Sequence, residues 1–252
     1  PAEMAQPILQ VHVSQAPPTL GGRHLLPEVR LSALDEGVPQ LGAVLAYGQI
    51  VAPLQAAWQA LCAAQPQRCQ MRFGTPVAAL KNLEGQGEGV EIDAGIAERF
   101  DLAVIAEGGV FAEQARKAVT HDYRQTAWVG PVTLDATAAP GSAFERFTRH
   151  GPVALLPLPA RPGDAAGTRR ASLVWCVPAD DDPVAGLNDA QRLAVLQTLL
   201  PAAAGRLLSV APLKHFPLGL NAERTLVAGR QVRIGNAAQT LHPVAGQGLN
   251  LG

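Results

Sequence analysis

Lysine, cysteine and aromatic residues are all scarce in this chain. Of its 20 cations only Lys81, Lys117 and Lys214 are lysines, and no basic block gathers them. With 21 acids the formal net charge is −1. A surface that neutralises a run of phosphates is therefore excluded, nucleic acid is not an expected partner, and the sequence shows neither an acidic tail nor a polybasic membrane anchor. Its apolar runs fall short of the ~18 residues of a membrane-spanning helix. The three cysteines, Cys62, Cys69 and Cys176, are odd in number and lack CxxC spacing. They predict buried thiols of a reducing compartment, not a disulfide framework or a zinc site. The six histidines (His12, His24, His121, His150, His215, His242) form no HxxxH or HExxH pair, so no metal site is predicted. The GxSxG elbow of serine hydrolases and the P-loop are missing too.

What is abundant is apolar mass. At 48% of 252 residues it suffices for a sizeable core, and against a typical ~150 residues per domain the length predicts one large domain or two small ones. The chain opens Pro1-Ala2-Glu3 without an initiator Met or the regions of a signal peptide. It closes Leu249-Asn250-Leu251-Gly252 inside the start of a predicted helix. A piece of a longer chain is expected.

Strands are predicted at Ile8–Ser14, Arg68–Gly74, Val77–Leu83 and Val90–Ala94 from alternation and β-branching. Gln49–Gln65 has Leu54, Trp58, Leu61 and Cys62 at helical spacing, with Pro53 near its start. The glycines Gly85, Gly87 and Gly89 suggest a phosphate loop, but Val90 occupies the place of the third fingerprint glycine and a strand follows; a hairpin turn is predicted. Asp101–Ala106 (DLAVIA) is a continuous apolar run ending in Glu107-Gly108-Gly109, the pattern of a fully buried parallel strand and a tight turn. Further strands are predicted at Arg124–Asp135, Phe144–Arg149, Val153–Leu158, Ala171–Val177, Ser209–Leu218, Thr225–Ala228 and Gln231–Ile234. Asp189–Leu200 is predicted helical, with Leu193, Leu196 and Leu200 on one face and Asn188 or Asp189 as cap. Asp180-Asp181-Asp182 before Pro183 predicts a solvated turn, and Arg161–Arg170 a loop tip.

The chemistry concentrates in the closing segment, GNAAQTLHPVAGQGLNLG, from Gly235 to Gly252. Gly235 and Ala237 permit close approach of backbone to a bulky anionic group. Asn236 can hydrogen-bond a hydroxyl or a phosphate oxygen. Pro243 to Gly248 is poor in side chains and is predicted to lead into a helix whose first amides could face an anion or an electron-rich ring.

This segment resembles the second flavin-binding motif of the aromatic-ring flavoprotein monooxygenases, and within them the ubiquinone-biosynthesis hydroxylases that act on polyprenylated phenols. Asp101–Gly108 resembles the same family's DG motif. Ala143–Pro152 (AFERFTRHGP), Ser172–Cys176 (SLVWC) and the strand holding His12-Val13-Ser14 also look like that subgroup. The likeness covers nearly all of the chain. The departures are specific: the GxGxxG fingerprint is absent, Glu107 stands for the usual Asp, Phe111 and Gln114 for a later Ser and Arg, and Asn236 for the common Asp.

The resemblance implies an α/β (α+β) chain, a partial Rossmann-like FAD-binding core with a large mixed or antiparallel β-sheet substrate domain. Residues 1–118 and 221–252 would belong to the FAD-binding part and 119–220 to the sheet. It implies FAD as cofactor, NAD(P)H as reductant, O2, and a lipophilic phenol as substrate. The implied cofactor-binding residues are Glu107, Gly108, Gly235, Asn236, Ala237, Ala238, Pro243, Gly246, Gln247, Gly248, Leu249 and Asn250. With the fingerprint missing, this piece alone is expected to retain little FAD. Leu155, Leu156, Trp175 and Phe216 are candidates for the cavity wall, and His150 and His215 for a general base. A cytoplasmic protein, at most peripheral to the inner membrane, with other quinone-biosynthesis proteins as possible partners, completes the expectation. The alternatives are a non-catalytic scaffold and another flavin oxidoreductase of the same fold; for a halogenase the tryptophan-rich motif is missing.

Overall fold

The computed structural model of the protein describes residues 4–16, 28–83, 89–107, 119–243, 246 and 248–251. Its strands are β1 (Gln6–Ile8), β2 (Gln10–Gln15), β3 (Glu28–Ser32), β4 (Gly42–Val44), β5 (Ala79–Leu83), β6 (Gly89–Asp93), β7 (Ala97–Phe100), β8 (Ala103–Ile105), β9 (Val119–Asp135), β10 (Ser142–Thr148), β11 (Gly151–Leu158), β12 (Thr168–Pro178), β13 (Leu207–Val210), β14 (Lys214–Ala222), β15 (Val227–Ala228), β16 (Gln231–Arg233) and β17 (Gln239–Thr240). Helix α1 (Tyr47–Ala64) follows β4, and α2 (Asp189–Leu199) follows β12. The chain forms two compact units, Pro1–Gln55 with Arg124–Leu218, and Ala56–Tyr123 with Gly219–Gly252.

In the first unit a mixed sheet runs β14, β9, β12, β11, β10, β2, β3, with β13 also on β9. The pair β2–β10 is parallel; β3–β2, β10–β11, β11–β12 and β12–β9 are antiparallel. The N-terminal strands β2 and β3 thus edge this sheet; the resemblance implies that residues 1–118 belong to the FAD-binding part. Alternation sends Val153 and Leu155 of β11, and Leu173, Trp175 and Val177 of β12, to one face. There Val184, Leu196 and Leu200 close over them in one core. Leu196 is fully buried, and its truncation to Ala would cost about 2–5 kcal/mol.

The start of α2 is fixed by a reciprocal cap. Gln191 N donates to Asn188 Oδ1 at 3.0 Å, and Asn188 N donates to Gln191 Oε1 at 2.9 Å. The acidic run ahead of it is not merely a solvated turn. Asp180 pairs with Arg124 at the surface, but Asp182 is built in: its carboxylate accepts Trp128 Nε1–H at 2.9 Å and the amides of Val184 and Ala185 at 2.8 and 3.1 Å. One carboxylate ties β9 to the approach of α2.

In the second unit β5, β6 and β7 form an antiparallel meander. Leu83 faces Gly89 across β5 and β6; the glycine turn predicted between them lies outside the described residues, as do most of the loop at 15–28 and Phe111 and Gln114. The strand predicted at Asp101–Ala106 is present as β8, parallel to β16, which forms a hairpin with β15. It is not buried throughout. Ala103 is, but Val104 is 55% exposed, because among the described residues only this three-stranded sheet surrounds it.

Two further expectations are corrected. Arg68–Gly74 is turn and coil: Arg68 N and Cys69 N both donate to Gln65 O, finishing the turn after α1, and Gly74 sits at φ +67°. Cys62 and Cys69 are half-buried, and only Cys176 is buried. The helix predicted at Gln49–Gln65 is present as α1, with Leu54, Trp58 and Leu61 exposed and Cys62 half-buried.

Candidate functional site

The parallel pairing of β8 with β16 brings two separate sequence motifs together. Ala103 faces Gln231, Val104 faces Val232 and Ile105 faces Arg233. Ile234 N continues the ladder by donating to Ile105 O at 3.0 Å. The chain therefore leaves both strands at the same edge, as Ala106-Glu107 from β8 and Gly235-Asn236 from β16. The carboxyl ends of neighbouring parallel strands are where open α/β sheets bind ligands. Glu107 is exposed there, while Gly108 lies outside the described residues.

After β16 the backbone reverses at once. Gly235 is at φ +57°, a left-handed conformation that costs a side-chain-bearing residue about 1 kcal/mol. Gly235–Ala237 is a single 3-10 turn, closed by Ala238 N donating to Gly235 O at 2.9 Å. Ala237 and Ala238 are buried and Asn236 is half-buried. Glu223 N donates to Ala238 O at 2.9 Å, and β17 pairs with the end of β14, Thr240 facing Asn221. Pro243 O accepts from Gly246 N at 3.0 Å, and Gly246 is at φ +61°. Leu249 and Asn250 are exposed in a turn, and Gln239 Nε2 reaches Leu251 O at 2.7 Å. Where a helix start is predicted, the described residues Gly248–Asn250 form a turn. Gln247 lies outside the described residues.

The base of the site is held by a clip that the sequence did not announce. Asn82 of β5 donates through Nδ2 to Ala228 O at 3.0 Å and accepts from Arg230 N at 3.2 Å through Oδ1. It thereby fastens the turn between β15 and β16. A second unannounced feature is a ring stack. Tyr123 meets His121 and His242 edge-on, each at 5.0 Å between centroids. Burial holds the His242 imidazole below its usual pKa, favouring the neutral ring.

The wall and base candidates of the first unit do not share one face. Leu155 (1% exposed) and Trp175 (2%) are core beneath α2. Leu156 lies on the opposite face by alternation. The His215 ring tilts against Trp128 at 5.0 Å, on the α2 side, which puts Phe216 on the other. His150 sits in the turn between β10 and β11 and accepts from Arg149 Nε at 2.8 Å.

The residues at the strand ends fit a large anionic cofactor. Among the described residues, each glycine's chain neighbours aside, nothing lies within 4 Å of where a Cβ would stand on Gly235, Gly246 or Gly248. The backbone is bare, and the side chains beside it are small. Among the described residues no group of three metal-ligating side chains occurs.

No protein-family model matches the chain. It is similar to the 3-demethoxyubiquinol 3-hydroxylase of Escherichia coli, 30% identical over 201 residues, which are 79% of this chain and 48% of that protein. It is similar to the ubiquinone hydroxylase UbiL of Rhodospirillum rubrum, 35% identical over 134 residues, 53% of this chain and 29% of that protein. The chain spans less than half the length of these relatives. Its fold is similar to the crystal structure of PqsL from Pseudomonas aeruginosa, described as a probable FAD-dependent monooxygenase, with a TM-score of 0.64 over 99% of this chain and 67% of that one at 19% identity.

Proposed function

We propose a function from the premise that this chain belongs by homology to the ubiquinone hydroxylases: the whole protein is an FAD-dependent monooxygenase that hydroxylates the ring of a polyprenylated phenol, with NAD(P)H as reductant and O2 as co-substrate. The observation that supports it is that the chain leaves β8 at Glu107 and β16 at Gly235-Asn236 from neighbouring carboxyl ends, beside glycine backbone that no described residue outside its chain neighbours covers. When bound, FAD supplies the two-electron redox and oxygen chemistry that no side chain can. The chain's own residues hold and orient it. Gly235, Gly246 and Gly248 leave room for the ligand. Ala237, Ala238 and Pro243 add no bulk, and Leu249 and Asn250 stand exposed beside them. Asn236 donates through its amide nitrogen and accepts through its oxygen, so it can bridge a hydroxyl and a phosphate. Glu107 would offer a carboxylate acceptor to a hydroxyl of the cofactor.

In this reading the second unit serves FAD and the sheet of the first serves the substrate. The protein works in the cytoplasm, peripheral to the inner membrane, where a polyprenyl chain resides and other quinone-biosynthesis proteins act. No described helix is long and apolar enough to cross a membrane. The test is flavin absorbance of the full-length protein followed by NAD(P)H-dependent hydroxylation of a prenylated phenol. A colourless protein that takes up no FAD on titration would overturn the proposal in favour of a scaffold.

A further inference from the structure

We propose that Glu145 is the carboxylate that receives the ring hydroxyl of the substrate, an assignment that rests on the functional reading above. Glu145 is an interior position of β10, facing Ala154 of β11 on one side and Val13 of β2 on the other. Its sequence neighbours point to α2: Phe144 belongs to the core there, and Arg146 Nε donates to Leu199 O at 3.1 Å. Alternation therefore aims Glu145 at the opposite face. That face is apolar around it, with Val13, Ala154 and, one strand further, Val174. Leu156 lies along the same face.

The carboxylate is half-buried there, and among the described residues nothing donates to it or pairs with it. Burial alone raises its pKa. A carboxylate on the other face of the same sheet behaves in the opposite way. Glu28 of β3 meets His12 Nε2 at 2.8 Å and Arg30, and its pKa is lowered, chiefly by the hydrogen bond from Arg30. Removing a carboxylate from water without a partner costs stability. Packing gives no reason to keep a Glu at 145, since Val, Leu or Met would suit the apolar surroundings better. Unpaired, desolvated ionisable groups of this kind concentrate at functional sites.

The occupant that satisfies this face has one O–H donor on an apolar body. A phenol with a hydrocarbon chain meets both demands: the hydroxyl reaches Glu145, and the ring and chain lie along Val13, Ala154 and Leu156. In the reaction the phenol O–H bond breaks and the proton passes to a Glu145 carboxylate oxygen. The electron pair left on the phenol oxygen enriches the ring carbons ortho and para to it, where oxygen is inserted. No electrons are exchanged in this step. A carboxyl raised in pKa is the better proton acceptor.

The experiment uses the whole protein, with para-nonylphenol and its methyl ether as probes, and the variants Glu145→Gln and Glu145→Leu. The wild type is expected to bind the phenol more tightly than the ether by about 10- to 100-fold, and Glu145→Leu to abolish that preference without weakening the ether. Glu145→Gln keeps an acceptor and much of the affinity, but lowers kcat by about 100-fold and removes the acid limb of the kcat/KM profile. The titratable group facing Glu145 is Cys176 of β12, whose thiol burial and the nearby carboxylate push up to about 12; it stays protonated across that limb, and Val13 and Ala154 do not titrate. The thermal midpoint of Glu145→Leu should be equal to or above that of the wild type. A fall in midpoint, or an unchanged phenol preference in Glu145→Leu, would overturn the assignment. Failure of the wild type to take up flavin or to hydroxylate any phenol counts against the parent reading instead, and the binding ratio still decides the role of Glu145.

Discussion

The clip at Asn82 permits a sharp quantitative test of how the candidate site is held. Asn82 makes two hydrogen bonds to the turn between β15 and β16. At about 0.5–1.5 kcal/mol each, and with Arg230 exposed so that water partly replaces one, Asn82→Ala should cost about 1–2 kcal/mol. Gly229 lies under the same side chain. It is at φ +58°, and a Cβ there would stand 2.8 Å from Asn82 Cγ. Gly229→Ala therefore meets two penalties: about 1 kcal/mol for the left-handed backbone, and displacement of Asn82 with loss of its bonds. With Asn82 already truncated, only the backbone penalty remains. The double variant should thus cost about 2–3 kcal/mol, less than the sum of the single losses by about 1 kcal/mol or more. Equilibrium urea unfolding of the four proteins measures this. Strict additivity within about 0.3 kcal/mol would show that the two residues do not share the clip, and the account of how β16 is anchored would fail.

Other consequences are simpler to state. Asn236→Leu should weaken FAD by about 1–3 kcal/mol in fluorescence titrations of the full-length protein, because a buried ligand group loses its partner, while Asn236→Asp is tolerated. Gly248→Val should preserve the midpoint of unfolding, since the space around it is open, yet lose flavin or turnover; unchanged flavin content would return the segment to an ordinary turn. Asp182→Ala removes the acceptor for Trp128 Nε1 and two amides and should cost about 2–3 kcal/mol, read by loss of near-UV circular dichroism at lower denaturant. The His242 pKa is depressed in the fold, so the unfolded chain binds more protons near pH 6. Stability from this residue is full above the usual histidine pKa and is lost as pH falls through the folded value; His242→Phe should flatten that part of the stability–pH curve.

Much of the fold was legible because its signals are local. The apolar run before Glu107 and the short strand before Gly235 read as strands from their own residues, and parallel pairing follows for a run with no polar alternation. The cap of α2 was read as Asn188 or Asp189, and the reciprocal bonds with Gln191 settle it on Asn188. Arg68–Gly74 failed for the complementary reason: its pattern suits a strand, but no partner strand accepts it, and Gly74 turns left-handed. Extended segments are stabilised by what pairs with them, which no window of sequence contains. The exposure of Val104 has the same origin.

The site divides along a similar line. Glycine positions report a backbone requirement directly, so Gly235 and Gly246 could be picked out and are found at positive φ with free space about them. The facing of single side chains could not be picked out. Leu155 and Leu156 looked interchangeable as wall residues, yet one is core under α2 and the other is not. Alternation fixes only that neighbours differ; which parity faces the cavity depends on where α2 lands, far along the chain. Phe144, Glu145 and Arg146 show the consequence. Once α2 is placed on the side of Phe144 and Arg146, the acid between them is committed to the other face, among apolar residues and without a partner. A residue that reads as an ordinary exposed strand position thereby becomes the one carboxylate among the described residues of β10, and a search for the base confined to histidines would pass over it.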